Sequence, residues 1–275
     1  MKKGILVGAL LLSGGMVGAQ GLYVGVGAGY GIGMPADALG SKVVVNSSGQ
    51  TTESVIYGSY GGGVNANLNV GYMFSEHFGA DLGFTYFSGS SVTSTDVSVP
   101  TGTATLEGKS TQLRIAPSLV LSTGTSEVVS AYSRLGLVLP AGGSTISEYR
   151  DNTNPSSVVE RDIETTGALS LGFQGAIGVN YSLSESLSIF GEISGVNLRI
   201  KRATSSVTKS TVNGTDVLGM MTTYEKETTY VDELNSSSNN GAYNPNYSTG
   251  SAKESLATTT NFNGVFFNIG VKYSL

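Results

Sequence analysis

The stretch GLYVGVGAGYGIG, residues 21–33, decides the fold. Its even positions, Leu22, Val24, Val26, Ala28, Tyr30 and Ile32, are apolar, while its odd positions are Tyr23 followed by Gly25, Gly27, Gly29, Gly31 and Gly33. Successive side chains of a strand point to opposite faces, so a period of two predicts a strand with one greasy face and one nearly bare. A phosphate-cradling loop is the competing reading. It requires Gly-x-Gly-x-x-Gly spacing with a helix behind it, and this stretch has neither.

Working outward, the alternation recurs along the chain. Val64, Ala66, Leu68, Val70 and Tyr72 stand opposite Asn65, Asn67, Asn69 and Gly71; after a short turn, Phe78, Ala80, Leu82, Phe84 and Tyr86 stand opposite Asp81, Gly83 and Thr85. That is a tight hairpin. Leu113–Leu121 with Ala131–Leu139 predicts a second, and Leu169–Tyr181 with Leu187–Ile193 a third. The last strand carries Val265, Phe267, Ile269, Val271, Tyr273 and Leu275 on one face. Pro117 lacks an N–H for a ladder and predicts a bulge or irregular position. Apolar residues are odd up to Ile193 but even at Val196, Leu198 and Ile200, which predicts a bulge near Ser194-Gly195.

Eight strands result. The connections after the second, fourth and sixth are about five residues long, whereas the others, at about 34–57, 93–104, 141–165 and 204–257, far exceed ordinary loop length. Long and short connections therefore fall at opposite ends. This alternation predicts an all-β, eight-stranded antiparallel up-and-down transmembrane β-barrel, with short periplasmic turns, long extracellular loops and both termini periplasmic. A soluble barrel would place the aliphatic stripe inside instead. Aromatic residues near strand ends favour the membrane: Tyr72, Phe74, Phe78, Tyr181 and Tyr273 are expected at one interface, and Tyr30, Tyr86, Phe87 and Phe262 at the other.

The ends and the composition agree. Lys2-Lys3, the apolar run 4–12 and the small residues Gly14, Gly15, Gly18 and Ala19 read as a signal peptide over 1–19, leaving a mature barrel domain over 20–275. Export and a membrane barrel together point to the outer membrane of a diderm bacterium. Only 13% of residues are charged, few for a water-soluble exterior, and Gly numbers 39. Without Lys2 and Lys3 the formal charge falls from −5 to −7, so nucleic acid is not an expected partner. There is no Cys, which excludes disulfides and a lipid anchor on cysteine.

At this point the sequence resembles the small outer-membrane β-barrel superfamily that includes the OmpA transmembrane domain and the OmpX/Ail-type proteins. The residues carrying the likeness are the terminal Phe267-Asn-Ile269-Gly-Val271-Lys-Tyr273-Ser-Leu275, similar to the family's insertion signal, with Leu275 where the family has Phe. The resemblance covers 20–275 and implies outer-membrane lipid and, during insertion, the barrel assembly machinery as partners. The second domain that OmpA carries after its barrel is not expected.

Two sets of residues are candidates for function. Eight strands leave an interior just wide enough for side chains. Asp81, Arg114, Arg134, Glu192, Arg199 and Lys272 are expected there as an ion-pair network, either plugging a structural barrel or gating a narrow channel for ions or small solutes. The second set lies in 204–257, where Asn213-Gly214 predicts a hairpin turn and Tyr224, Tyr230, Tyr243 and Tyr247 offer contact area with polar tips to an extracellular ligand or host surface. A hydrated surface shield is the alternative for this tract. The expected function is a structural surface-exposed barrel in adhesion or envelope interaction. No enzyme activity is expected: the single His77 sits in a predicted periplasmic turn, and no residue cluster suits a metal or other cofactor.

Overall fold

The computed structural model describes residues 21–124 and 128–275. The expected signal peptide, and the end of the turn after the fourth barrel strand, lie outside the described residues. In chain order the strands are β1 (Gly21–Gly33), β2 (Asp37–Val45), β3 (Thr51–Gly58), β4 (Gly63–Met73), β5 (Phe78–Gly89), β6 (Val92–Val99), β7 (Gly102–Ser122) and β8 (Val129–Asp151). They continue with β9 (Val159–Gly167), β10 (Gly172–Ser182), β11 (Leu187–Asn197), β12 (Arg199–Val212) and β13 (Thr215–Asp216). After a short helix α1 (Thr223–Lys226) come β14 (Glu227–Val231), β15 (Lys253–Leu256), β16 (Thr259–Asn261) and β17 (Gly264–Ser274).

Eight of these strands close a barrel. The antiparallel ladder runs β1 to β4, β5, the lower half of β7, the lower half of β8, β10, β11 and β17, and returns to β1 with Tyr23 opposite Ser274 and Gly33 opposite Gly264. Closure pairs every strand on both sides, which is how a sheet avoids open edges. The alternation seen in residues 21–33 is realised: Val26, Tyr30 and Ile32 point outward and exposed, and Tyr23 points inward and buried. Tyr72, Phe74 and Phe78 cluster at the end with the short turns, with ring centroids 5.5 and 5.7 Å apart.

The long connections are mostly strand. β7 and β8 run 21 and 23 residues, about twice the 9–11 needed to cross a bilayer, so their upper halves rise well beyond the barrel. There they template an open sheet, the crest, in the order β3-β2-β6-β7-β8-β9-β12-β14-β15. Cross-strand ion pairs lace it, among them Lys42–Asp96 at 2.8 Å, Arg150–Glu160 at 3.0 Å and Lys209–Glu160 at 3.2 Å. The Asn213-Gly214 turn is present, with φ of 49° and 77°, the left-handed pair a two-residue hairpin needs. Its return strand β13 pairs only Thr215 and Asp216 with β12, so the hairpin is shorter than the pattern over 207–231 suggests. The polar tract near 235–250 is fastened by amide side chains: Asn239 donates to the Ala252 carbonyl at 2.8 Å and Asn240 to the Glu254 carbonyl at 2.7 Å.

Two expectations are corrected, and the one at Pro117 is met as an irregular ladder position. No bulge occurs at Ser194-Gly195, because the register from Phe173↔Asn197 to Ser182↔Ser188 is unbroken. The apolar residues change parity there because Val196, Leu198 and Ile200 face the interior, where Leu198 and Ile200 pack with Tyr60, Ala116, Val138 and Phe262 into an apolar lid at the barrel mouth. Phe87 and Phe262 likewise lie inside rather than at the interface, both fully buried. At Pro117 the β7–β8 ladder is interrupted, as the missing N–H predicts, but the extra residue is Ala141, beside Pro140, where the register shifts between Leu113 and Arg114.

Candidate functional site

The interior polar residues all come from inward positions of the barrel strands, and only half of the expected ion-pair set comes together. Arg134 on β8 reaches across the lumen, its Nη1 3.2 Å from Asp81 Oδ2 and its Nη2 in contact with Glu192 Oε2. Its Nη1 also donates to Asn69 Oδ1 at 2.9 Å. One guanidinium thus serves two carboxylates from opposite walls, and all three side chains are close to fully buried. Taking such charges out of water is tolerable only when paired and hydrogen-bonded; the surrounding groups do this in part, with Asp81 Oδ1 and Arg134 Nε buried without a hydrogen-bond partner among the described residues.

Two tyrosines complete this network by the same construction. The Tyr23 hydroxyl donates to Asp81 Oδ2 at 3.2 Å, and the Tyr132 hydroxyl donates to Glu192 Oε2 at 2.9 Å. In each case the ring crosses a glycine on the intervening strand: Gly71 is opposite Tyr23 on one side and Asp81 on the other, and Gly178 is opposite Tyr132 and Glu192. A Cβ on Gly71 would stand 2.3 Å from the Tyr23 ring, and one on Gly178 2.5 Å from the Tyr132 ring. The absent side chains are therefore what let each tyrosine reach its carboxylate.

The other three expected members lie apart from this network. Among the described residues Arg114 has no carboxylate partner; its Nε donates to Gln112 Oε1 at 2.8 Å and its guanidinium stacks 4.4 Å from the centroid of Phe87, which meets Phe266 edge-on. Arg199 lies outside the barrel, half exposed, paired with Asp37 at 2.7 Å. Its misplacement follows from the bulge that does not occur, since unbroken parity puts residue 199 on the outward face. Lys272 is inside but faces the Tyr23 ring, 5.3 Å from its centroid, with no acidic partner among the described residues. Tyr23, Tyr132 and Asn69, which sequence reasoning did not assign to the network, were readable as inward by parity alone, and so was Phe87, which it placed at the membrane interface.

Two small cavities flank the Arg134 network. One of about 50 Å³ lies towards the short turns, lined by Tyr23, Asp81, Arg134 and Lys272, and one of about 40 Å³ lies towards the lid, lined by Arg114, Arg134, Glu192 and Asn268. Each has room for a few water molecules and no larger solute. Fixed charge therefore occupies the middle of the interior. His77, in the turn at the other end, places Nδ1 3.1 Å from the Ser122 carbonyl oxygen and braces two turns together.

The candidate tyrosines of the crest are partly used for its own packing. Tyr224 and Tyr247 stack with centroids 4.6 Å apart, and the Tyr224 hydroxyl accepts from the Gly241 N–H at 3.1 Å. Tyr230 shares a hydrogen bond with Ser205 at 3.2 Å. Tyr243 is half exposed and makes none of these contacts. Thr222 and Glu225 form a capping box on α1, and the Thr222 N–H and hydroxyl hold the Glu225 carboxyl below the usual range. Asp232 pairs with Lys201 rather than converging with Glu233, Glu225 and Glu227.

The profile of the family described as outer membrane protein beta-barrel domain matches residues 6–220. No curated protein matches the chain. Among solved structures, the chain is similar to Neisserial surface protein A (NspA), with 11% identity, a TM-score of 0.40, and 92% of this chain and 97% of that one covered. It is also similar to the outer membrane protein OprG from Pseudomonas aeruginosa, with 15% identity, a TM-score of 0.44, and 93% of this chain and 96% of that one covered.

Proposed function

Because the chain belongs to the outer membrane protein beta-barrel domain family, we propose that it is a closed barrel whose task is to hold the crest at the cell surface for contact with an extracellular ligand or host surface. The observation that carries this reading is the length of β7 and β8: half of each is spent outside any membrane, building a sheet that the barrel does not need for closure. Loops without a role in contact would not require a continuous ladder of nine strands. In this reading the short turns and both barrel ends at Gly21 and Ser274 face the periplasm, and the barrel assembly machinery inserts the chain. Tyr243 and the stacked Tyr224 and Tyr247 present the aromatic contact area. Purified protein with residues 204–257 replaced by a short linker is expected to lose binding to cells or matrix that the full chain retains. Equal binding by both would refute the reading.

A second reading, a narrow ion or solute channel, is favoured by one observation: Asp81 and Glu192 share the single guanidinium of Arg134 from opposite walls, so a movement that released either would open a path along the lumen. The lid of Val138, Leu198, Ile200 and Phe262 argues for the closed barrel. Planar bilayer recordings separate the two. The display reading expects no single-channel steps, and the channel reading expects steps that change on Glu192→Ala.

A further inference from the structure

A cleft of about 250 Å³ opens between the barrel mouth and the crest. Two ladder irregularities border it: the extra residue at Ala141 in β8 and the register shift between Arg202 and Thr204 in β12. Its floor is apolar, formed by Ile200 and Phe262 of the lid, and its walls carry the hydroxyls of Ser144, Thr165 and Thr260. The one charged residue lining it is Arg202.

Arg202 differs from its neighbours. Arg199 is paired with Asp37 and Lys201 with Asp232, whereas Arg202 has no carboxylate within ion-pair distance among the described residues. Its Nε points to the Thr260 hydroxyl at 3.4 Å, which steadies the guanidinium at the cleft wall. An unpaired guanidinium presents a planar fork of donors suited to a carboxylate or phosphate. Side-chain hydroxyls that can both donate and accept suit ligand hydroxyls, and an apolar floor suits the C–H face of a ring.

We infer that this cleft binds an anionic monosaccharide, its acidic group on Arg202, its hydroxyls on the Ser and Thr walls and its ring against the apolar floor. The cleft volume accommodates one sugar ring. The site is separate from the tyrosines of the crest, so its failure would leave the display reading untouched.

Titration calorimetry on the intact detergent-solubilised protein, with glucuronate, glucose 6-phosphate and neutral glucose as probes, tests it. At least one anionic sugar is expected to bind about ten-fold or more tightly than glucose, and Arg202→Gln to abolish that preference while keeping the barrel's heat-modifiable gel mobility. Which of the two anionic probes binds identifies a carboxylate or a phosphate as the acidic group. The inference is overturned if neither binds wild-type protein in preference to glucose, or if Arg202→Gln binds the preferred sugar as tightly as wild type. The wild-type comparison needs no variant, so it stands even if Arg202→Gln misfolds.

Discussion

Tyr23 on β1 and Asp81 on β5 are joined by a 3.2 Å hydrogen bond that passes over Gly71 on the strand between them. Tyr132 and Glu192 repeat the relationship over Gly178 on the other wall, and Arg134 spans the two. The middle of the interior is held by this paired construction, below the apolar lid, and it makes particular substitutions informative.

Gly178→Ala is expected to destabilise the barrel by about 1–3 kcal/mol, because its Cβ would displace the Tyr132 ring from Glu192. Gly175→Ala, on the outward face of the same strand with nothing within 4 Å of its Cβ, is the control and should change stability by less than about 0.5 kcal/mol. Urea unfolding in lipid vesicles, followed by tyrosine fluorescence, measures both. Equal effects would remove the ring-over-glycine account.

Arg134→Met should be far more damaging. It leaves Asp81 and Glu192 buried without a cation, at a cost of about 3–5 kcal/mol, and adding Asp81→Asn and Glu192→Gln should recover most of the loss. The triple variant folding no better than the single would show that packing, not charge pairing, sets the cost.

Arg114 is predicted to behave in the opposite way. With no carboxylate to leave behind, Arg114→Met keeps the bulk against Phe87 and is expected to be neutral or stabilising, whereas Phe87→Ala opens a cavity and should cost about 3–5 kcal/mol. Unfolding midpoints of the two variants decide this.

The crest should respond to acid before the barrel does. Asp151 is held below its ordinary value by hydrogen bonds from the Thr153 hydroxyl and N–H, and Glu160 by Lys209 and Arg150. A depressed carboxyl contributes stability that is present above its unfolded pKa and is lost as pH falls through the lower folded value. The ordering of β8, β9 and β12 above the barrel is therefore expected to be constant from pH 7 to 5 and to weaken below about pH 4. Amide exchange along 144–166 and 204–212 checks this; loss of protection already at pH 6 would contradict it.

Much of this was legible in the sequence because a strand has a period of two. The pattern Leu22 to Ile32 needed only local geometry to separate an outward face from an inward one, and the same arithmetic placed Asp81, Arg134 and Glu192 inside. It failed at Val196, Leu198 and Ile200, where an apolar residue was read as facing outward. An apolar side chain is equally at home in lipid and in a dry lid, so hydrophobicity alone could not tell the two apart. The supposed bulge then carried Arg199 to the wrong side.

The sequence by itself determined the class of barrel, the number of its strands, the segregation of long and short connections and the facing of most side chains, since each depends on neighbours two residues apart. Only the tertiary structure decided which inward residues meet. The contacts Tyr23–Asp81, Tyr132–Glu192 and Arg134 with both acids join residues far apart in sequence, 58 residues for Tyr23–Asp81 and 60 for Tyr132–Glu192, and depend on strand register and on closure of β17 against β1. The same holds for the crest. Polar, threonine-rich segments have no apolar stripe to betray their register, and they become strands because the long edges of β7 and β8 offer them backbone partners.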